Sequence, residues 1–152
     1  MTAPPLDPTG AEDRIRLVYV AAADAAEAER LAQAAVERKL AACASDWPIR
    51  SRYWWRGRIE HAGEHALLLK TSGKKLGALL RFLAREHSYE VPDLLEIKVP
   101  RAHEPYIQWL LASIDPALAG PPRAGSSRRR AARPARAVRG LRRTPAPRRR
   151  RY

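Results

Sequence analysis

The sequence predicts an α+β domain of the ferredoxin-like, split βαβ type, in which an antiparallel sheet carries helices on one face. Three observations support this class. Apolar residues recur at helical spacing in three segments, short β-branched or apolar runs separate these segments, and the resulting order is β-α-β-β-β-α-β-α. We place this domain at residues 14 to 116, a length that is sufficient for one hydrophobic core.

The first strand and the first helix are predicted before residue 40. Ile15 to Val20 is rich in β-branched and aromatic residues, which favour strands. Asp24 is followed three residues later by Glu27, the capping-box pattern that starts a helix. Apolar residues then recur with helical spacing, so we expect the helix to end near Lys39.

Three strands are expected next. The chain is typical of extended structure from Leu40 to Trp47 and from Ile49 to Ile59, with Pro48 as an interruption between the two runs. Arg56-Gly57 predicts a turn or a bulge. Ala66 to Thr71 is a short apolar run, as in a buried strand.

The domain is completed by a second helix, a connection, a fifth strand and a third helix. Ser72 or the threonine before it can cap the second helix, and Pro92 excludes helical structure where the connection lies. The predicted ranges are the helix around Leu76 to Ala84, the connection Ser88 to Asp93, the strand Leu94 to Val99 and the helix His103 to Ile114.

Charge divides the chain into two parts. Residues 117 to 152 contain 13 arginines and no acidic residue, whereas the preceding residues contain 16 basic and 16 acidic residues. Large apolar residues are rare in this tail, so we predict that it is disordered, as are residues 1 to 13. Its charge would allow non-specific contact with nucleic acid, although passenger sequence or a shifted reading frame would explain the composition equally well.

Several classes of function receive no support. The single cysteine excludes an intramolecular disulfide, and the N-terminus lacks the basic and apolar run of a secretory signal, so we expect a cytoplasmic protein. No apolar run approaches the ~18 residues of a membrane span, so no membrane contact is expected. Neither a phosphate loop nor a nucleophile elbow is present, and an enzyme is therefore not expected.

Three motifs identify a family resemblance. They are Leu40-Ala-Ala-Cys43, then Tyr53-Trp54-Trp55-Arg-Gly57-Arg-Ile-Glu60 continuing through Glu64 to Lys70-Thr71, and His87-Ser-Tyr89-Glu90-Val-Pro92. In this order and at this spacing the chain resembles the CutA family of divalent-cation-tolerance proteins. The resemblance implies a homotrimer with a shape akin to the P-II signalling proteins and a role in the response to copper or another divalent cation.

Two positions differ from the usual pattern of that family. Ser88 stands where a proline is usual, and Asp93 stands where a glutamate is usual. The first change alters backbone stiffness beside the candidate site, because proline restricts its own φ and the residue before it.

The candidate metal ligands are Cys43, His87 and Glu90. A thiolate suits Cu(I), but a small cysteine among alanines is also a common packing residue. An imidazole and a carboxylate within four residues could share a metal, or hold a small anion-bearing ligand together with Lys70. A capping histidine and an ion-paired glutamate are the alternative. His61 and His65 have zinc-like spacing, but in extended chain that spacing has no special geometry.

A second hypothesis is a P-II-like sensor of a small metabolite that acts through a partner protein. Its cleft would lie between subunits, and a scaffold trimer is a third possibility. Tyr53, Trp54 and Trp55 would pack at the trimer interface, because interface cores favour such side chains. The candidate pocket or interface residues are Tyr53, Trp54, Glu60, Glu64, Lys70 and Tyr89.

Overall fold

The computed structural model describes residues 14 to 115 and residue 117. The predictions of disorder at residues 1 to 13 and in the basic tail lie outside the described residues, Ala117 excepted. Seven elements follow in the order β1 Ile15–Ala22, α1 Ala25–Glu37, β2 Cys43–Trp55, β3 Arg58–Ser72, α2 Gly73–Glu86, β4 Leu95–Lys98 and α3 Glu104–Ile114.

The four strands form one antiparallel sheet in the order β2-β3-β1-β4. β1 lies inside the sheet, where it pairs with β3 from Ile15 opposite Ser72 to Ala22 opposite His65. On its other side β1 pairs with β4, with Tyr19 opposite Leu95. The predicted ferredoxin-like α+β architecture is confirmed.

The strand count between the first two helices differs from the prediction. The predicted break at Pro48 is wrong, because β2 continues through this residue, which lies opposite His65 of β3. β2 is an edge strand with one neighbour, and a residue without an N–H can be accommodated there. The chain on both sides of Gly63 is also strand, so two long strands replace the three that were expected.

A two-residue turn joins β2 to β3. Arg56 and Gly57 have φ angles of 49° and 80°, respectively. Positive φ at both central residues matches the twist of a tight hairpin, and Gly57 adopts this conformation without the steric cost of a Cβ atom. The turn predicted at this dipeptide is confirmed.

The main core lies between one sheet face and the helices α1 and α2. Side chains alternate between the two faces of a strand, so Val18 and Val20 of β1 point to the same side. They are fully buried together with residues of β3 and both helices. The other fully buried members of this cluster are Leu31, Ala35, Leu67, Leu69, Leu79 and Leu83.

Helix α3 packs against the other sheet face, near one end of the sheet, so the prediction that the helices share one face is wrong for α3. Ile107, Leu110 and Ile114 form a second buried cluster with Ile15, which alternates to the face opposite Val18. No helix of the described chain is long and apolar enough to cross a membrane.

Much of the sheet face that α3 contacts remains uncovered. Five large side chains on this face are each at least 40% exposed: Trp47, Tyr53, Trp55, Leu95 and Ile97. We call this surface the open face.

Side-chain caps begin α1 and α2. The Asp24 carboxylate accepts a hydrogen bond from the backbone N–H of Glu27 at 2.8 Å. The Ser72 hydroxyl accepts one from the backbone N–H of Lys75 at 3.2 Å. Each cap satisfies an N–H group that has no partner within its helix, so both predicted helix starts are confirmed.

We expect Asp24→Ala to lower the free energy of unfolding by about 1 kcal/mol, because the N–H of Glu27 loses its acceptor. The measurement is denaturant unfolding at a matched subunit concentration. Asp24→Asn keeps an acceptor oxygen and should stay close to the parent protein. Equal losses in the two variants would contradict a capping role.

Candidate functional site

A cleft of about 560 Å³ opens on the open face, between three strands and the segment that follows α2. β1, β2 and β3 form its floor and one wall, and residues 88 to 93 form the other wall. Its lining residues are Tyr19, Ala21, Ser51, Arg52, Tyr53, Trp55, Glu64, Ser88, Tyr89, Glu90, Val91 and Asp93.

The strand registers explain how distant residues meet in this cleft. Tyr19 lies opposite Leu68 and Ala21 opposite Ala66. Both therefore point to the same face as Glu64, which is two residues before Ala66 in β3. Glu64 lies opposite Ile49 of β2, which places Tyr53 on this face as well. Residues from three strands therefore share one surface.

Glu64 and Tyr89 form the polar centre of the cleft. The Tyr89 hydroxyl donates a hydrogen bond of 2.7 Å to the carboxylate of Glu64, a buried residue that is 6% exposed. Burial and this hydrogen bond raise the pKa of Tyr89 above its ordinary value. Burial, Asp93 and Glu64 also raise the pKa of Tyr19. Both phenols therefore stay neutral and able to donate at neutral pH.

His87 connects the wall segment to β1. Its ring is buried, and Nε2 donates to the carbonyl oxygen of Ala21 at 3.0 Å. Nδ1 accepts a hydrogen bond from the backbone N–H of Tyr89, also at 3.0 Å. Both ring nitrogens are engaged, so a metal could bind His87 only if one of these bonds were broken.

Glu27 holds the same segment from the side of α1. Its carboxylate accepts hydrogen bonds from the backbone N–H of Ser88 at 2.7 Å and from the Ser88 hydroxyl at 2.9 Å. It also accepts one from the N–H of Ala23 at 2.9 Å. Burial opposes ionisation, but these bonds prevail and lower the pKa of Glu27. A proline at position 88 would supply neither Ser88 donor.

Asp93 closes the far end of the segment. Its carboxylate accepts a hydrogen bond of 2.7 Å from the backbone N–H of Ala21. The carbonyl oxygen of Ala21 therefore accepts a hydrogen bond from His87, and the N–H of Ala21 donates one to Asp93. His87 and Asp93, which stands where the resembled family usually has glutamate, therefore hold the two ends of the wall segment against one residue of β1.

The predicted metal ligands are not brought together within the described chain. Cys43 lies opposite Lys70 of β3, and its thiol is 3.6 Å from the Tyr106 hydroxyl. His87 contacts Ala21, at the other end of the sheet, while Glu90 lines the cleft. In the described part no group of three His, Cys, Asp or Glu side chains could hold a metal ion. The three residues therefore do not fit a metal site inside one subunit.

The predicted pocket residues divide into two groups. Tyr53, Glu64 and Tyr89 line the cleft, as does Glu90. The cleft lining does not include Trp54, Glu60 or Lys70. Trp54 alternates to the opposite sheet face and is 73% exposed. Glu60 forms an ion pair with Arg58. The prediction omitted Tyr19, Trp55 and Asp93 as pocket residues, although strand alternation alone places Trp55 beside Tyr53.

Comparisons with known proteins agree with the motifs. Residues 16 to 113 match the family model described as CutA1 divalent ion tolerance protein. The divalent-cation tolerance protein CutA of Archaeoglobus fulgidus is 35% identical over 98 residues, which cover 64% of this chain and 96% of that protein.

Solved structures give the same result. CutA from Synechococcus elongatus PCC7942 superposes with a TM-score of 0.66 at 37% identity, covering 68% of this chain and 92% of that one. The periplasmic divalent cation tolerance protein CutA from Archaeoglobus fulgidus superposes with a TM-score of 0.65 at 34% identity, covering 66% and 99%.

We expect the stability of the parent protein to fall more steeply in acid than that of Glu27→Gln. The pKa of Glu27 is lower in the folded protein than the unfolded value of about 4.5. The stabilisation by its ionised carboxylate is therefore fully present above the unfolded pKa and is lost as the pH falls through the folded pKa. The measurement is the free energy of unfolding across this acid range. Parallel pH profiles would contradict the role of the ionised carboxylate.

Proposed function

The chain belongs to the CutA1 family of divalent ion tolerance proteins, and from this premise we propose that it acts in divalent-cation tolerance as a homotrimeric binding protein rather than as an enzyme. In this proposal the cleft of each subunit binds a small effector, and the open face forms the contact between subunits. The observation that carries the proposal is the cleft itself, a concave site with converging polar groups.

The open face supports the assembly. Leu95 is 54% exposed and Ile97 is 44% exposed, although both lie on a strand of the central sheet. Trp47 and Trp55 add aromatic surface on β2. Several large apolar side chains exposed on one sheet face are typical of a protein interface.

The cleft borders this proposed interface. Tyr53 and Trp55 belong both to the open face and to the cleft lining. An effector in the cleft would therefore contact residues close to the subunit boundary. This arrangement suits a sensor, because binding and subunit contact would influence the same side chains.

Copper binding at Cys43 is a second candidate. The thiol is only partly buried and lies beside the Tyr106 hydroxyl. Ala44 packs on the main core. Because side chains alternate along β2, Cys43 lies on the opposite sheet face, which is the open face. Thiolates from several subunits would supply the soft ligands that Cu(I) prefers.

We propose that the protein works in the cytoplasm. Its one thiol is free, as is usual in a reducing compartment. The Archaeoglobus fulgidus protein is described as periplasmic, so relatives are not confined to one location.

Ile97→Glu should shift the full-length protein from trimer to monomer, because three copies would bury a charge in the interface. Native mass spectrometry and sedimentation measure this. Val36→Glu, on the exposed side of α1, is the matched control and should remain trimeric. A parent protein that is monomeric, or an Ile97→Glu variant that stays trimeric, would overturn the proposed interface.

Cys43→Ser should abolish stoichiometric Cu(I) uptake if the second candidate is correct, because a hydroxyl is a poor ligand for this soft ion. Native mass spectrometry of the trimer with Cu(I), Cu(II) and Zn(II) reads assembly and metal content together. A parent trimer that takes up no copper, or a serine variant that retains it, would exclude the Cys43 site and leave the cleft proposal untouched.

A further inference from the structure

The charges that line the cleft are mostly negative. Glu64, Glu90 and Asp93 contribute carboxylates, and Arg52 is the basic residue among the lining residues. The lining residues thus include three carboxylates and one guanidinium. The cleft lining therefore carries a net negative charge.

The three carboxylates make no ion pair within the described residues. Glu64 accepts from the Tyr89 hydroxyl, and Asp93 accepts from the N–H of Ala21, both neutral donors. Glu90 is exposed at the rim. The raised pKa of Tyr19, to which Asp93 and Glu64 contribute after burial, agrees with a negative potential inside the cleft.

Aromatic rings accompany these carboxylates. Tyr19, Tyr53, Trp55 and Tyr89 all line the cleft. The faces of such rings attract cations, and cages of aromatic rings with a nearby carboxylate recognise ammonium groups in many proteins. Metal ions prefer several converging ligands, and the described residues offer no group of three that could hold one. The volume of about 560 Å³ suits an organic molecule rather than a bare ion.

From this combination we infer that the cleft binds a small organic cation through an ammonium group. The aromatic rings and Glu90 contact the ammonium group, and the carboxylate of the buried Glu64 attracts it electrostatically. This inference rests on the proposed function, because it names the chemical class of the effector that the cleft would take.

The test uses full-length protein and choline as the probe, with tryptophan fluorescence and calorimetry as readouts. Choline should bind saturably, and its uncharged isostere, in which carbon replaces the quaternary nitrogen, should not. Glu90→Gln should weaken choline binding about two- to fivefold, as for an exposed charge pair, and more at low than at high ionic strength. Trp55→Leu should weaken it by a similar factor.

Glu29→Gln, an exposed carboxylate on α1, is the matched control and should leave the affinity unchanged. Equal binding of choline and its neutral isostere would overturn the inference, as would equal affinity in Glu90→Gln and the parent protein. Citrate serves as an anion of comparable size: if it binds the cleft and choline does not, the ligand class is wrong while the effector site stands. If neither probe nor Zn(II) binds, the inference and the proposed effector site both fail.

Discussion

The antiparallel pairing of β1 with β3 is the constraint on which the rest of the molecule depends. It runs from Ile15 opposite Ser72 to Ala22 opposite His65. In this register Val18 and Val20 enter the core, and Tyr19 and Ala21 face the cleft. A shift of one residue would exchange the two sets, burying a tyrosine and exposing valines. The stability of the core and the chemistry of the cleft are therefore set by the same hydrogen-bond ladder.

The elements that depend on local signals were predictable from sequence. Asp24 and Ser72 cap their helices as expected, and Arg56-Gly57 forms the expected turn. The continuous course of β2 through Pro48 was not predictable in the same way. Proline is excluded from a central strand and tolerated at an edge, and the position of a strand in its sheet is a tertiary property.

The cleft was predictable only in part. Tyr53, Glu64, Tyr89 and Glu90 came from the family motifs, and all four line the cleft. Trp54 was assigned with them, although its neighbours Tyr53 and Trp55 occupy the other face of the strand. The two hydrogen bonds from Ser88 to Glu27 span 61 positions of the chain. Periodicity and propensity contain no information about a contact of that length.

The serine at position 88 illustrates how one substitution can be absorbed. Proline would restrain the wall segment through its own ring, whereas Ser88 does so through two donors to a buried carboxylate. The wall segment is therefore held by hydrogen bonds to α1 rather than by a proline ring in its own backbone. The hydrogen bonds that Glu27 accepts outweigh the effect of its burial and keep this acceptor ionised across the neutral pH range.

Tyr53 and Trp55 line the cleft and also lie on the open face, so ligand binding and subunit association would draw on the same two side chains. Thermodynamic linkage is reciprocal: if association changes the affinity of the cleft by some factor, occupation of the cleft changes the association constant by the same factor. Dilution of the protein would then change the affinity of the cleft for its ligand. The concentration of subunits in the cell would set the ligand concentration at which the protein responds.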